Sequence, residues 1–139
     1  MIEYYKGDYK YLLKSRAAYE TGITGHACAL PFCSLDNAGE LIIEPGYAWD
    51  GPSGPTFDTK SFMRGSLIHD VLYQLLRQPG FEPDDDEHDL IRHRSDLLLR
   101  EICLEDGMWK WRAYWVLRGV RAGGGPSAAV KARKVYTAP

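Results

Sequence analysis

His69, Asp70 and Tyr73 stand inside "GSLIHDVLYQLL", residues 65–76, a strongly apolar run of the chain. On a helix, His69 and Tyr73 are four residues apart and share a face, with Phe62, Ser66 and Leu76 along the same stripe. Asp70 points about 100° away from His69. Further on, Asp89, His93, Asp96 and Arg100 form a second one-sided polar stripe at helical spacing. If the two helices pack antiparallel, as their short connection favours, these stripes can face each other. Asp96 is then the carboxylate for His69, because it lies among leucines and has the greatest need of a buried partner.

Such a pairing has a chemical use. A carboxylate holding one imidazole nitrogen fixes the tautomer and leaves the other nitrogen to take a proton from water. Asp70, aimed toward the preceding Gly/Pro-rich loop, can hold a hard cation such as calcium together with loop carbonyls, which glycines let approach closely. Such an ion would stabilise an oxyanion at a carbonyl carbon. Plainer readings compete. A lone histidine in an apolar helix is commonly a satisfied structural residue. "DDDE" at 84–87 reads as a solvated helix start. His88 and His93 are five apart and share no face, which argues against a two-histidine metal site. Cys28 and Cys33 read as small core residues, and no serine sits in a nucleophile-elbow pattern.

The elements that must position these groups follow from the pattern. The 139 residues, 45% hydrophobic and 26% charged, suit one α+β domain over 1–121. Residues 1–60 are β-rich, with short β-branched or aromatic runs that predict a small antiparallel sheet of three to five strands, "DNAG" turning between two of them. "PGYAWDGPSGPTFD" reads as a restricted loop. Residues 61–121 are helical: one helix capped by Ser61 and running to Leu76, one from the acidic run to about Glu105 with Gly107 just past its end, and a third over "MWKWRAYWVLRGVR". Residues 122–139 read as a flexible basic arm.

In the third helix, Trp109, Trp111, Tyr114 and Trp115 alternate with Lys110, Arg112, Arg118 and Arg121. Aromatics among cations suit a membrane interface, but Trp111, Trp115 and Arg118 make one continuous face, and packing into a small core is favoured. All nineteen acids precede position 107, and seven of the seventeen Lys/Arg follow it, so the first 106 residues carry about −9. A basic end of this kind can meet an acidic partner, nucleic acid or anionic lipid. No run approaches the roughly 20 apolar residues of a membrane-spanning helix. The N-terminus has no apolar signal-peptide region, and three cysteines at no zinc-ligand spacing suggest reduced thiols in a cytosol.

"EPGYAWDGPSG", "HDVLY" and "RSDLLLREICLEDG" together resemble a family of phage and prophage proteins of unknown function, over about 41–123. Its pattern is a P-G-[FY]-x-x-D-G loop, matched by Pro45, Gly46, Tyr47, Asp50 and Gly51, an H-D-x-L-Y helix, and a later R-x-x-[SA]-D helix carrying Asp96. The site is more distantly similar to secretory phospholipase A-two. That resemblance implies His69 as general base, Asp96 orienting it, and Tyr73 in a supporting hydrogen bond. It also implies a calcium ion held by Asp70 with carbonyls of Trp49, Gly51 and Ser53, although Ser53 stands where a glycine is usual. The expectation is a phage-encoded, calcium-dependent hydrolase of lipid or cell-envelope esters. The alternative is a non-catalytic virion component of tail or baseplate, and a third reading is an "HD" phosphohydrolase drawing on His88, His93 and Asp96. Partners are then other virion proteins or lipid and envelope, nucleic acid not among them. Synthesis is expected in the host cytoplasm, with association to the virion in the structural reading.

Overall fold

The computed structural model describes residues 1–7, 10–51, 59–78, 81 and 84–123. Seven short strands come first: β1 (Tyr4–Lys6), β2 (Tyr11–Leu13), β3 (Ala17–Glu20), β4 (Cys28–Leu30), β5 (Cys33–Leu35), β6 (Glu40–Ile43) and β7 (Ala48–Trp49). Three helices follow: α1 (Lys60–Leu76), α2 (Asp85–Glu105) and α3 (Lys110–Gly123). The chain is α+β, as its patterning predicts, but three to five strands in one sheet is an underestimate. The strands form two antiparallel sheets, ordered β1-β2-β7 and β3-β6-β5-β4. The difference lies in runs of two to four residues, too short for an alternation to declare itself. The restricted-loop reading of 45–58 likewise conceals β7, which pairs Trp49 with Tyr11 and Ala48 with Leu12.

The β5–β6 turn falls on "DNAG". Asp36 Oδ1 accepts from the Ala38 and Glu40 amides, both at 2.9 Å, and Gly39 takes φ +95°. Its missing side chain matters, since a Cβ would lie 3.2 Å from the Ile23 backbone. Leu41 and Ile43 of β6 pair with Leu35 and Cys33 of β5, and all four are buried on one face of the sheet. Cys33 is thus the core residue its setting suggests, while Cys28 is half-buried at the sheet edge; both are free.

Apolar on nearly every side, α1 forms the centre of the molecule. Leu67, Ile68, Val71, Leu72, Leu75 and Leu76 are almost fully buried in a cluster that includes both sheets and Leu98 and Ile102 of α2. Contacts pair the start of α1 with the end of α2, and the reverse, so the two run antiparallel. Gly65 makes their crossing close: a Cβ there would meet Cys103 Sγ at 2.9 Å and the Leu99 carbonyl oxygen at 3.3 Å. At this end Arg64 donates to Asp106 at 3.0 Å and Glu105 at 2.8 Å.

Ser61 is not the cap of α1. That position is Thr59, in an extended conformation, and its hydroxyl does not cap the helix; it accepts from Arg112 Nη1 of α3 at 2.8 Å. A packed neighbour has claimed the oxygen that local pattern assigns to the helix start. By contrast α2 begins as read: Asp84 accepts from the Asp86 and Glu87 amides, acids fill the first turn, and Gly107 (φ +91°) follows the Asp106 cap.

The packed-face reading of α3 is overturned. Trp109, Trp111, Tyr114 and Trp115 are 71%, 61%, 47% and 63% exposed. The inner face is Ala113 with Val116 and Val120, set against Phe62, Leu99, Cys103, Leu104 and Met108. Small side chains let α3 approach α2 closely, and indoles would hold it off. The helix also continues through Gly123, beyond the expected boundary at 121. The first two residues of the proposed arm, 122–139, thus belong to α3, and the rest, 124–139, lies outside the described residues.

Candidate active site

Antiparallel packing of α1 on α2 delivers His69 and Tyr73, one turn apart, to the same carboxylate. His69 Nε2 lies 2.7 Å from Asp96 Oδ1, and the Tyr73 hydroxyl donates to the same oxygen at 2.6 Å. Their rings sit 4.1 Å apart, centroid to centroid. Asp96 is fully buried and His69 is 7% exposed. The second carboxylate oxygen accepts from Arg121 Nη1 of α3 at 2.9 Å. Arg92, one turn before Asp96, donates to the Tyr73 hydroxyl at 3.2 Å and to the Val120 and Arg121 carbonyls at the end of α3.

The electrostatics follow from this geometry. Burial pushes Asp96 upward, but hydrogen bonds from His69, Tyr73 and Arg121 outweigh it and hold the carboxyl below its ordinary range. An ionised carboxylate only accepts, so His69 Nε2 carries the hydrogen, and in the neutral ring Nδ1 is the basic nitrogen. Burial first, and then the bond to Asp96, push the Tyr73 phenol up, so it stays protonated as a donor.

A second cluster sits where β7 meets α1. The Trp49 indole N–H donates to Ser66 Oγ at 3.2 Å, and Ser66 in turn to the Met63 carbonyl at 2.9 Å. The Tyr47 hydroxyl donates to Gln74 at 2.7 Å. Gly51 takes φ +80° with the Tyr11 ring in the space of a side chain, where a Cβ would come within 2.5 Å. Thus the loop's start is pinned along α1 on either side of Asp70. Asp70 is half-buried, and burial raises its carboxyl to about 6; the His69 ring opposes the rise and the Asp50 charge adds to it.

Of the residues singled out from the sequence, His69, Tyr73 and Asp96 thus meet in one network, Asp70 follows His69 on α1, Trp49 is held to Ser66, and Gly51 lies against Tyr11. Ser53 lies outside the described residues. Asp89 and His93 do not join Asp96: both are exposed and, with Asp86, Leu90 and Arg121, line an open recess that His69 does not reach. They share that side of α2 with Asp96 but lie nearer the start of the helix, where the recess is open. Arg100 does not appear among the partners of Asp96 either. His88 is spent on the Leu76 carbonyl at 3.2 Å, and among the described residues no three His, Cys, Asp or Glu side chains converge as metal ligands. The phosphohydrolase reading therefore loses its ligand set within the described residues.

Two members of the network were missed. Arg92 is four residues from Asp96, so its place was available from helical spacing. Nothing local joins Arg121 to Asp96 across 25 residues; only the unmet charge of a buried carboxylate hinted at a cation. Compared with protein-family models, curated proteins and solved structures, the chain matches none of them.

Proposed function

We propose that this is a phage-encoded hydrolase of phospholipid-type carboxylic esters, with His69 as general base. The observation that carries the reading is the 2.7 Å contact between His69 Nε2 and a buried, ionised Asp96 that Tyr73 also holds. His69 Nδ1 takes a proton from water as the oxygen attacks the ester carbonyl, and the imidazolium returns that proton to the departing alkoxide. Asp96 stabilises the imidazolium and keeps the ring oriented; Tyr73 and Arg121 are positioning residues acting through Asp96.

Hard-oxygen chemistry at the β7–α1 junction fits calcium. Asp70 is a half-buried carboxylate raised by its surroundings, with the Asp50 charge nearby, so a divalent ion would relieve both. Asp70 would hold it together with the carbonyls of Trp49 and Gly51 and, by resemblance, Ser53. When bound, the ion supplies positive charge for the developing oxyanion. The test is fatty-acid release from mixed phospholipid micelles in calcium. His69→Ala is expected to lower release at least a hundredfold while Tyr73→Phe, which keeps the ring, lowers it several-fold. Release unchanged in His69→Ala would remove the dyad.

One observation favours a second reading, a non-catalytic virion component. His69 is 7% exposed, and both Asp96 oxygens are occupied by groups that tie α1, α2 and α3 together. Such a network stabilises a fold without any chemistry. This reading expects a chain shortened after Gly123 to fold normally yet fail to enter particles; normal incorporation would count against it.

A further inference from the structure

We infer that the outer face of α3 binds the surface of an anionic lipid bilayer, with its tryptophans seated among the headgroups. Trp111, Tyr114, Trp115 and Arg118 project on one side of the helix, opposite the Ala113, Val116 and Val120 side that packs on the protein. Trp109 extends the patch at its N-terminal end, its ring 6.0 Å from that of Trp111. Tyr114 packs edge-on against Trp115 at 5.6 Å, and the Arg118 guanidinium lies 5.9 Å from the Tyr114 ring centre. An indole or phenol combines an apolar body with one polar edge, the composition that rests at the boundary between headgroup and acyl chain.

Charge selects the occupant. Arg112 and Arg121 are committed to Thr59 and Asp96, whereas Lys110 and Arg118 are exposed beside the aromatics. No acid occurs anywhere in 107–139, and Lys131, Arg133 and Lys134 follow in the sequence. A second copy pairing through this face would set cation against cation with no carboxylate to separate them. An anionic bilayer meets both features at once, and repulsion of the acidic remainder, about −9 over the first 106 residues, turns α3 toward the lipid. This surface is distinct from the His69 site, and binding through it requires no hydrolysis.

The experiment uses the full chain without calcium and vesicles of phosphatidylcholine, alone or with about a third phosphatidylglycerol. Trp49 is already 3% exposed, so a blue shift of tryptophan emission reports Trp109, Trp111 and Trp115. The expected result is a blue shift and co-sedimentation with the anionic vesicles, weakened at least tenfold by Trp111→Ser with Trp115→Ser at unchanged Tm. Lys110→Glu with Arg118→Glu should abolish the preference for anionic over neutral vesicles, and His69→Ala should bind as the parent does. Absence of binding, equal binding to both vesicles, or binding indifferent to the tryptophan substitutions overturns the inference. So does a concentration-dependent dimer that the tryptophan pair dissociates in place of vesicle binding. Vesicle binding without fatty-acid release in calcium would instead sink the hydrolase reading and leave this one standing.

Discussion

Asp96 accepts from His69 and Tyr73 on one oxygen and from Arg121 on the other, so its charge has no solvent to fall back on. Its carboxyl is held below the ordinary value near 3.9, so its contribution to stability is fully present above about pH 4. That contribution is lost as pH falls through the depressed folded value. Arg121→Met removes one partner and leaves a buried carboxylate less compensated. We expect a loss of roughly 1–3 kcal/mol, discounted because the arginine is about a third exposed, and an acid-unfolding midpoint shifted to higher pH. Denaturation monitored by circular dichroism from pH 3 to 7 checks both, and an unchanged acid limb would show that Arg121 does not hold Asp96. Asp70 presents the opposite case. Burial raises its carboxyl to about 6, so at neutral pH its charge opposes folding. Asp70→Asn is expected to raise Tm, by the equivalent of roughly 1–3 kcal/mol. Under the proposed function, calcium is expected to raise the Tm of the parent protein, and the same substitution should abolish that rise. A Tm that falls, or a calcium response that persists, would remove Asp70 from the proposed ion site.

Among the elements, the crossing of α1 on α2 decides whether the dyad forms. Gly65 sets its closeness and the Arg64 ion pairs set its register. Gly65→Ala would gain helix propensity, about 1 kcal/mol, yet its Cβ would sit 2.9 Å from Cys103 Sγ and 3.3 Å from a backbone carbonyl oxygen that cannot rotate away. The expected net effect is a loss of roughly 1–2 kcal/mol and, under the proposed function, weaker ester hydrolysis, because α2 must shift and carry Asp96 with it. Thermal melts compared with esterase activity test this; a stabilised variant would mean the crossing relaxes easily. Helices α1 and α2 were legible because long apolar periods and an acidic N-terminus are local signals. The cap of α1 was not, since Thr59 bonds to Arg112 of a helix fifty residues away. Strand β7 was hidden as well, because two residues acquire strand geometry only by pairing with Tyr11 and Leu12.

At the scale of the molecule, α3 faces two ways. Its small inner residues dock on α2, Arg121 reaches Asp96, and its indoles face outward. Among the described residues no helix is long and apolar enough to cross a membrane, so any lipid contact there is interfacial. Arg121 and the aromatic face share one helix.

By itself the sequence determined the α+β order of elements, the helical face shared by His69 and Tyr73, and Asp96 as the carboxylate in need of a partner. These follow from periodicity and from the cost of burying charge, which act over a few neighbouring residues. Only the tertiary structure decided that Arg121 completes the carboxylate, that Asp89 and His93 stay outside, and that the tryptophans point away from the core. Each depends on which side of α3 fits against α2, and that choice rests on the volumes of Ala113, Val116 and Val120 meeting residues distant in the chain.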